Sequence, residues 1–378
     1  MSKQEIKEII NGINTFALNL LKELRITDEN IFFSPFSIQA CVTMAYAGAR
    51  EKTAEEIKNV FKLSLKNELL HPIYKEYLDN LKFQDKGDGL ELHVANSIWV
   101  AIRLKLLDDY LNTIKDNYGE NIFEVDFKMG STLQQINGWV QEQTKGKIDK
   151  VSDSLNPNTK MILINAIYFK GLWLLPFKEN KTKDLPFTLK DGSKKNVPMM
   201  FEHDGFKYLE GSNFQLLEMK YKNTRFSMVI LLPKTIQDLE YFEKNLTIDQ
   251  LDNMLKNSNL QSLLVYVPKF EFKTAYNLNS NLMNLGMKDA FLKDEADFSG
   301  MTGEKDFYID LIIHKAYINV NEEGTEAAAI TAVLVTPTGL PPPPPPTFKA
   351  DHPFLFFILD KQNGGILFMG RIMDPQPE

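Results

Sequence analysis

Apolar residues recur at helical spacing from the start of the chain. Ile6, Ile9, Ile10, Ile13, Phe16, Ala17 and Leu20 fall on one stripe, which predicts an amphipathic first helix. The first third continues mainly in helices. Residues 52–57 carry a capping-box spacing, with Thr53 as the predicted N-cap and Glu56 three positions on. Helical patterns also cover residues 67–81 and 106–118. Between them, residues 90–100 alternate (Leu92, Val94, Ser97, Ile98, Val100) and predict a strand. Residues 161–169 form a nearly continuous apolar, β-branched run, as expected of a strand buried on both faces. From Phe187 onward strands dominate. Residues 227–232 stop at Pro233, and residues 262–272 contain Pro268, which favours a sheet edge. Residues 247–256 and 279–285 interrupt the series as helices. Residues 354–359 and 365–370 close the chain as a hairpin around a Lys361-Gln-Asn-Gly-Gly turn. Helices first and strands later predict an α+β fold. No repeat and no Gly/Ser-rich linker divides the chain, so residues 1–378 are expected to form one domain, though a large one for a single core.

Composition narrows the function classes. The 378 residues are 43% apolar and 25% charged with a net charge of −7, an ordinary globular mix with no broad electrostatic attraction for nucleic acid. The single cysteine, Cys41, allows neither an internal disulfide nor a cysteine-cluster metal site. It falls in the helix expected after Ser34-Pro35, where it is expected to be a small buried hydrophobe. The five histidines (His71, His93, His203, His314, His352) form no metal motif, and no nucleophile elbow or phosphate loop occurs, so no enzyme is expected. The N-terminus has neither a signal-peptide apolar core nor a cleavage site, and no apolar run reaches a membrane span. A soluble, leaderless, cytoplasmic protein is expected, with release by a non-classical route left open. The acceptor patterns at Asn180 and Asn245 are then chance matches.

The informative segment runs from His314 to Phe354. Propensity alone makes residues 325–334 a helix capped by Thr325. A second reading is equally physical. Thr325, Ala327, Ala329 and Thr331 share one parity and are small, so that face can slide into a sheet, and residues 332–335 continue as good strand formers. Pro337, Gly339 and six consecutive prolines, Pro341 to Pro346, stop either element. Together these features describe a long exposed loop whose first half can become a strand.

At this point the chain resembles the serpins, inhibitors of serine proteases built on a mobile reactive loop. Residues 321–329 resemble the family's proximal hinge, and 348–358 with 366–372 its C-terminal signature. Residues 165–173, 30–37, 285–291 and 297–301 match further family motifs in the family's order. The resemblance covers about residues 5 to 375 and is to the leaderless, ovalbumin-like type. It implies one α+β domain with three β-sheets, eight or nine helices and a reactive-centre loop over about residues 322–347. It also implies a suicide inhibitor. The protease attacks one loop bond and forms an acyl-enzyme. The freed proximal half then inserts into the largest sheet, and the enzyme is distorted before water can release it.

The family's functional residues carry over onto matching positions. The hinge is Gly324, Thr325, Glu326, Ala327, Ala328 and Ala329, which has no proline and no charge or bulk on the inserting parity; Ile330, of the other parity, is expected to face outward. Counting from the hinge glycine puts the reactive bond between Thr338 and Gly339, with Leu340, Val335 and Thr336 as alternatives. A β-branched residue there implies an elastase-like target, and Leu340 a chymotrypsin-like one. No arginine or lysine lies between Gly324 and Phe348, which argues against trypsin-like enzymes. Ser34, Ser37, Asn165 and His314 match the shutter, a polar cluster where strands part. Trp173, Lys269 and Glu322 match the breach, where the loop enters. The implied partner is a serine protease held covalently; a monomer is expected, with no cofactor, metal, nucleic acid or membrane. Heparin control is not expected, because residues 67–84 set Lys75 and Lys82 against Glu68, Glu76 and Asp79. The alternative is a non-inhibitory serpin acting as chaperone, carrier or binding scaffold. The proline run reads as a stiff spacer, or else as a polyproline II ligand.

Overall fold

The computed structural model describes residues 3–81, 89–305, 307–325 and 344–375. The first apolar stripe becomes the buried face of helix α1 (Lys3–Leu24), with Ile9, Ile13, Phe16 and Leu20 inside. There follow β1 (Ile31–Phe33), α2 (Pro35–Tyr46), α3 (Glu51–Phe61), α4 (Asn67–Leu81), β2 (Glu91–Ala101), α5 (Asp108–Tyr118), β3 (Ile122–Val125), α6 (Gly130–Gln143) and β4 (Met161–Leu172). The strand-rich part comprises β5 (Lys183–Thr188), β6 (Lys194–Glu210), β7 (Phe214–Lys220), β8 (Phe226–Pro233), α7 (Ile236–Asn245), α8 (Ile248–Asn257), β9 (Asn259–Pro268) and β10 (Phe270–Asn277). The chain ends with α9 (Asn279–Leu285), α10 (Ser299–Thr302), β11 (Leu311–Val320), β12 (Gly324–Thr325), β13 (Thr347–Lys349), β14 (Phe354–Asp360) and β15 (Gly365–Ile372). The shortest of these helices, α10, is a single turn of four residues. Among the described residues no helix is long and apolar enough to cross a membrane.

The strands form two hydrogen-bonded sheets. Six strands run in the order β10-β11-β4-β2-β3, with β12 attached to β4. Nine run in the order β1-β15-β14-β8-β7-β6-β9-β13, with β5 on β6. The 17-residue β6 pairs β5 along its first part (Lys194–Met199), β9 from Met199 to Tyr208 and β7 at its end (Lys207–Glu210). β6 thereby joins these strands into one ladder, so two hydrogen-bonded sheets stand where the resemblance implies three.

The six-stranded sheet is buried on both faces, which explains the unbroken apolar run of β4. Met161, Leu163, Ile167 and Phe169 point into the main core with α1 and α2. Ile162, Ile164, Ala166 and Tyr168 point the other way, against Ile136 and Val140 of α6. Beneath the sheet, α2 is buried along its whole length; Ser34 caps it by accepting from the Ser37 amide, and Pro35 stands at its first turn. Cys41 is fully buried in α2, and burial pushes its thiol up to about 12.

Two expected local features differ. Thr53 does not cap a helix: α3 begins at Glu51, and the Thr53 hydroxyl instead accepts the Asp297 amide at 2.9 Å. Glu56 does not complete a capping box but accepts the amides of Lys288 and Asp289. Long-range backbone donors have displaced the local ones. The stretch around Pro268 is not one strand. β9 ends at Pro268 in the nine-stranded sheet, and β10 begins at Phe270 in the other, with only Lys269 between. A genuine capping box stands at Thr247 and Gln250, opening α8.

Candidate functional site

The site is built on a seam between two parallel strands. β4 and β11 pair from Ile162 with Leu311 to Tyr168 with Tyr317. Each has an antiparallel neighbour on its other edge, β2 and β10. Beyond Tyr168 and Tyr317 the register between β4 and β11 stops, while β2 and β10 continue to pair their outer edges. At the open end β11 turns back. The Asn321 amide donates to the Gly324 carbonyl at 2.9 Å, and the Asn321 side-chain oxygen accepts the amides of Glu323 and Gly324. The chain returns as β12, antiparallel to β4, with Gly324 opposite Leu172 and Thr325 opposite Gly171. Glycine is required at 324. Its φ is +155°, and a Cβ would lie 2.2 Å from the Gly171 carbonyl oxygen. The remaining hinge residues (Glu326, Ala327, Ala328, Ala329) and the reactive-bond candidates (Thr338, Gly339, Leu340, Val335, Thr336) lie outside the described residues.

Trp173, Lys269 and Glu322 converge on this turn. The Trp173 amide donates to the Glu323 carbonyl at 2.8 Å and its indole N–H to the Asn321 carbonyl at 3.0 Å. The indole stacks on Tyr221, centroids 4.6 Å apart. Lys269 Nζ lies 2.8 Å from one oxygen of buried Glu322, and Thr182 donates to the other at 2.7 Å. Thr182 and Tyr221 have no local sequence signal, since both contacts are long-range. Burial works to raise the Glu322 pKa, but the bonds from Lys269 and Thr182 outweigh it and hold the carboxyl below its ordinary 4.5. A depressed carboxyl stabilises the folded state above its unfolded pKa and loses that contribution as pH falls through the folded value. Glu322→Gln is therefore expected to cost about 1 kcal/mol near neutrality. Melting curves of the two proteins should differ at pH 7 and approach each other as pH falls through the folded carboxyl's lowered value; curves that coincide at pH 7 would show that the pair does not hold the turn.

Ser34, Ser37, Asn165 and His314 also come together, under the middle of the seam. Asn96 on β2, Asn165 on β4 and His314 on β11 stand on one rung. The Asn165 amide group donates to Asn96 Oδ1 and to Ser37 Oγ, and its oxygen bonds His314 Nδ1. His314 Nε2 accepts the Ser34 amide at 3.1 Å, so the ring is neutral with its proton on Nδ1. Burial pushes its pKa down to about 3. Ser34 Oγ donates to the Leu367 carbonyl at 2.6 Å. Every side-chain polar atom of Asn165 is thus bonded at a fully buried position, which makes the network rigid. Asn96 is a member that motif matching did not single out. Its signal was a polar residue in the alternation that holds Leu92, Val94 and Ile98.

The fold and site define a class: an α+β protein whose six-stranded sheet, the smaller of the two hydrogen-bonded sheets rather than the largest, has an open parallel seam with a hairpin at its mouth. The chain belongs to the serpin family; the family model described as serpin (serine protease inhibitor) matches residues 11–375. It is 38% identical over 383 residues to leukocyte elastase inhibitor of Homo sapiens, covering 97% of this chain and 100% of that one. An uncharacterised serpin-like protein of Thermococcus kodakarensis is 40% identical over 373 residues, covering 98% and 86%. Human thyroxine-binding globulin, solved with thyroxine bound, superposes with a TM-score of 0.88 at 30% identity, covering 99% and 100%.

Proposed function

We propose that the protein is a suicide inhibitor of serine proteases, elastase-like or chymotrypsin-like, with its reactive-centre loop over about residues 322–347. One observation carries the reading: β12 starts antiparallel to β4 directly above the point where β4 and β11 part. Continuing its register sets Ala327 opposite Phe169, Ala329 opposite Ile167, Thr331 opposite Asn165 and Val335 opposite Met161. A strand there replaces one parallel pairing by two antiparallel ones, which are slightly more stable per residue. Its odd-numbered residues share the face that β4 turns to the main core.

In this mechanism the protease serine attacks the carbonyl carbon of Thr338. The bond to Gly339 breaks, the new amine takes the proton, and Thr338 stays on the enzyme as an ester. Insertion to Val335 runs down the length of β4, so it carries the ester-linked protease about 35 Å at ~3.3 Å per residue. Trp173, Lys269 and Glu322 hold the turn where the strand enters. Asn165 and His314 stand on the rung that must part, and Ser34 and Ser37 bond it from beneath. The proline run lies on the distal half, which stays with β13, where the Pro346 carbonyl already accepts the Leu264 amide at 3.0 Å. It serves as a stiff spacer and takes no part in insertion.

The test is incubation with pancreatic and neutrophil elastase, cathepsin G and chymotrypsin, followed by a denaturing gel. A complex that survives boiling in detergent is expected with at least one. Clean loop cleavage by all of them would overturn the reading. A second reading, a non-inhibitory carrier, draws on the similarity to thyroxine-binding globulin. It predicts that loop cleavage leaves the melting temperature unchanged.

A further inference from the structure

The outer face of the seam carries a contact with no part in the roles assigned above. Thr144, at the end of α6, accepts the Lys147 amide on its carbonyl at 3.0 Å and the Ile148 amide on its hydroxyl at 3.2 Å. The segment so fixed lays Lys147 across the seam. Its Nζ stands 5.9 Å from the centroid of the Tyr168 ring and 5.3 Å from that of Tyr317. These rings belong to β4 and β11 and form the last rung before the strands part. They lie 6.0 Å apart, and both are almost fully buried. Each is held from its own outer side. His93 on β2 stacks on Tyr168 at 5.8 Å, and Tyr317 donates to Glu271 on β10 at 2.5 Å.

We propose that Lys147 is a positioning residue that staples the seam shut at its opening end, and that releasing it sets the rate at which a strand can enter between β4 and β11. The proposal rests on the insertion reading. An entering strand moves the rings apart by about 4.8 Å. In the continued register it also sets Ala328 between them. One ammonium could then keep both distances only by lying almost on the line between the two rings, the place the entering strand takes. While the seam is closed both contacts stabilise it, and cation–π attraction survives half-burial. Removing the cation raises the closed state relative to the parted one, so insertion speeds up.

The experiment uses the full-length protein and a synthetic peptide with the sequence of residues 324–335. Uptake of the peptide into the sheet is followed by the rise in melting temperature, with no protease present. Lys147→Met is expected to take up the peptide about fivefold faster than the natural protein, and Lys147→Arg to stay within about twofold of it. In a Tyr168→Leu background, Lys147→Met should add little. Equal rates for the natural protein and Lys147→Met would overturn the staple, as would an arginine variant as fast as the methionine one, since loss of packing alone is not rescued by another cation. Should the natural protein take up no peptide, the insertion reading itself falls, an outcome distinct from a Lys147 that changes nothing.

Discussion

Replacing Ala327 by arginine is expected to turn the protein from an inhibitor into a substrate. The register of β12 sets residue 327 opposite Phe169. Phe169 lies in the main core against Tyr221, Phe226 and Phe368. A guanidinium inserted there would be set among aromatic rings in the buried core, and a charge left unpaired at such a place costs several kcal/mol. Trapping is a race between insertion and hydrolysis of the acyl-enzyme, and each 1.4 kcal/mol added to the insertion barrier slows it about tenfold. About 4 kcal/mol would slow insertion roughly a thousandfold, leaving less than ~1% of encounters trapped. The loop should still be cut at the natural rate, because the substitution lies eleven residues before the proposed bond. Densitometry of complex against cleaved protein on a denaturing gel reads this ratio. An Ala327→Arg variant that traps as well as the natural protein would show that residue 327 never enters the core.

The second large effect is expected at His314. Its two nitrogens bond the Asn165 side chain and the Ser34 amide, all at buried positions. His314→Ala orphans both partners, and each buried unsatisfied group costs about 1–3 kcal/mol. The closed seam should lose about 3–5 kcal/mol and convert spontaneously to an inactive form far faster, measured as loss of trapping during incubation without protease. The natural protein should show a related pH dependence. A histidine whose folded pKa is lowered to about 3 cannot take a proton that the unfolded chain accepts below about 6.5. Stability is therefore full above pH ~6.5 and falls by about 1.4 kcal/mol per unit on acidification toward pH 3. Buried His71, lowered to about 4, adds a slope of its own, so between pH 7 and 5 His314→Leu should show a slope shallower than that of the natural protein by about 1.4 kcal/mol per unit in denaturant titrations; the same slope in both proteins would place the titration elsewhere.

Legibility in the sequence depended on how local each signal was. β4 was readable because burial on both faces leaves an unbroken apolar run, and Asn165 stood out as the polar residue inside it. The hinge from Gly324 was visible as a family motif, a glycine before a stretch of small residues, and motif order tied distant pieces into one family; the tight turn at Asn321–Gly324 itself was not predicted. The break at Lys269 was not readable, because adjacent strands of two different sheets look like one long strand. α6 escaped because its inward stripe is thin: Thr132, Ile136 and Val140 are its buried residues. Thr53 misled because a capping pattern says nothing of the Asp297 amide that reaches it from far along the chain. Lys147 has no signal of its own. Its contact exists only because β4 and β11, about 150 residues apart, lie side by side.

The most direct measurement is a crystal structure of the protein after cleavage within the loop. Loop insertion predicts a new strand between β4 and β11, antiparallel to both. Thr331 should stand opposite Asn165, the Asn165–His314 bond should be broken, and Lys147 should have left at least one of its two rings. A cleaved protein in which β4 and β11 still pair from Ile162 with Leu311 to Tyr168 with Tyr317 would contradict it.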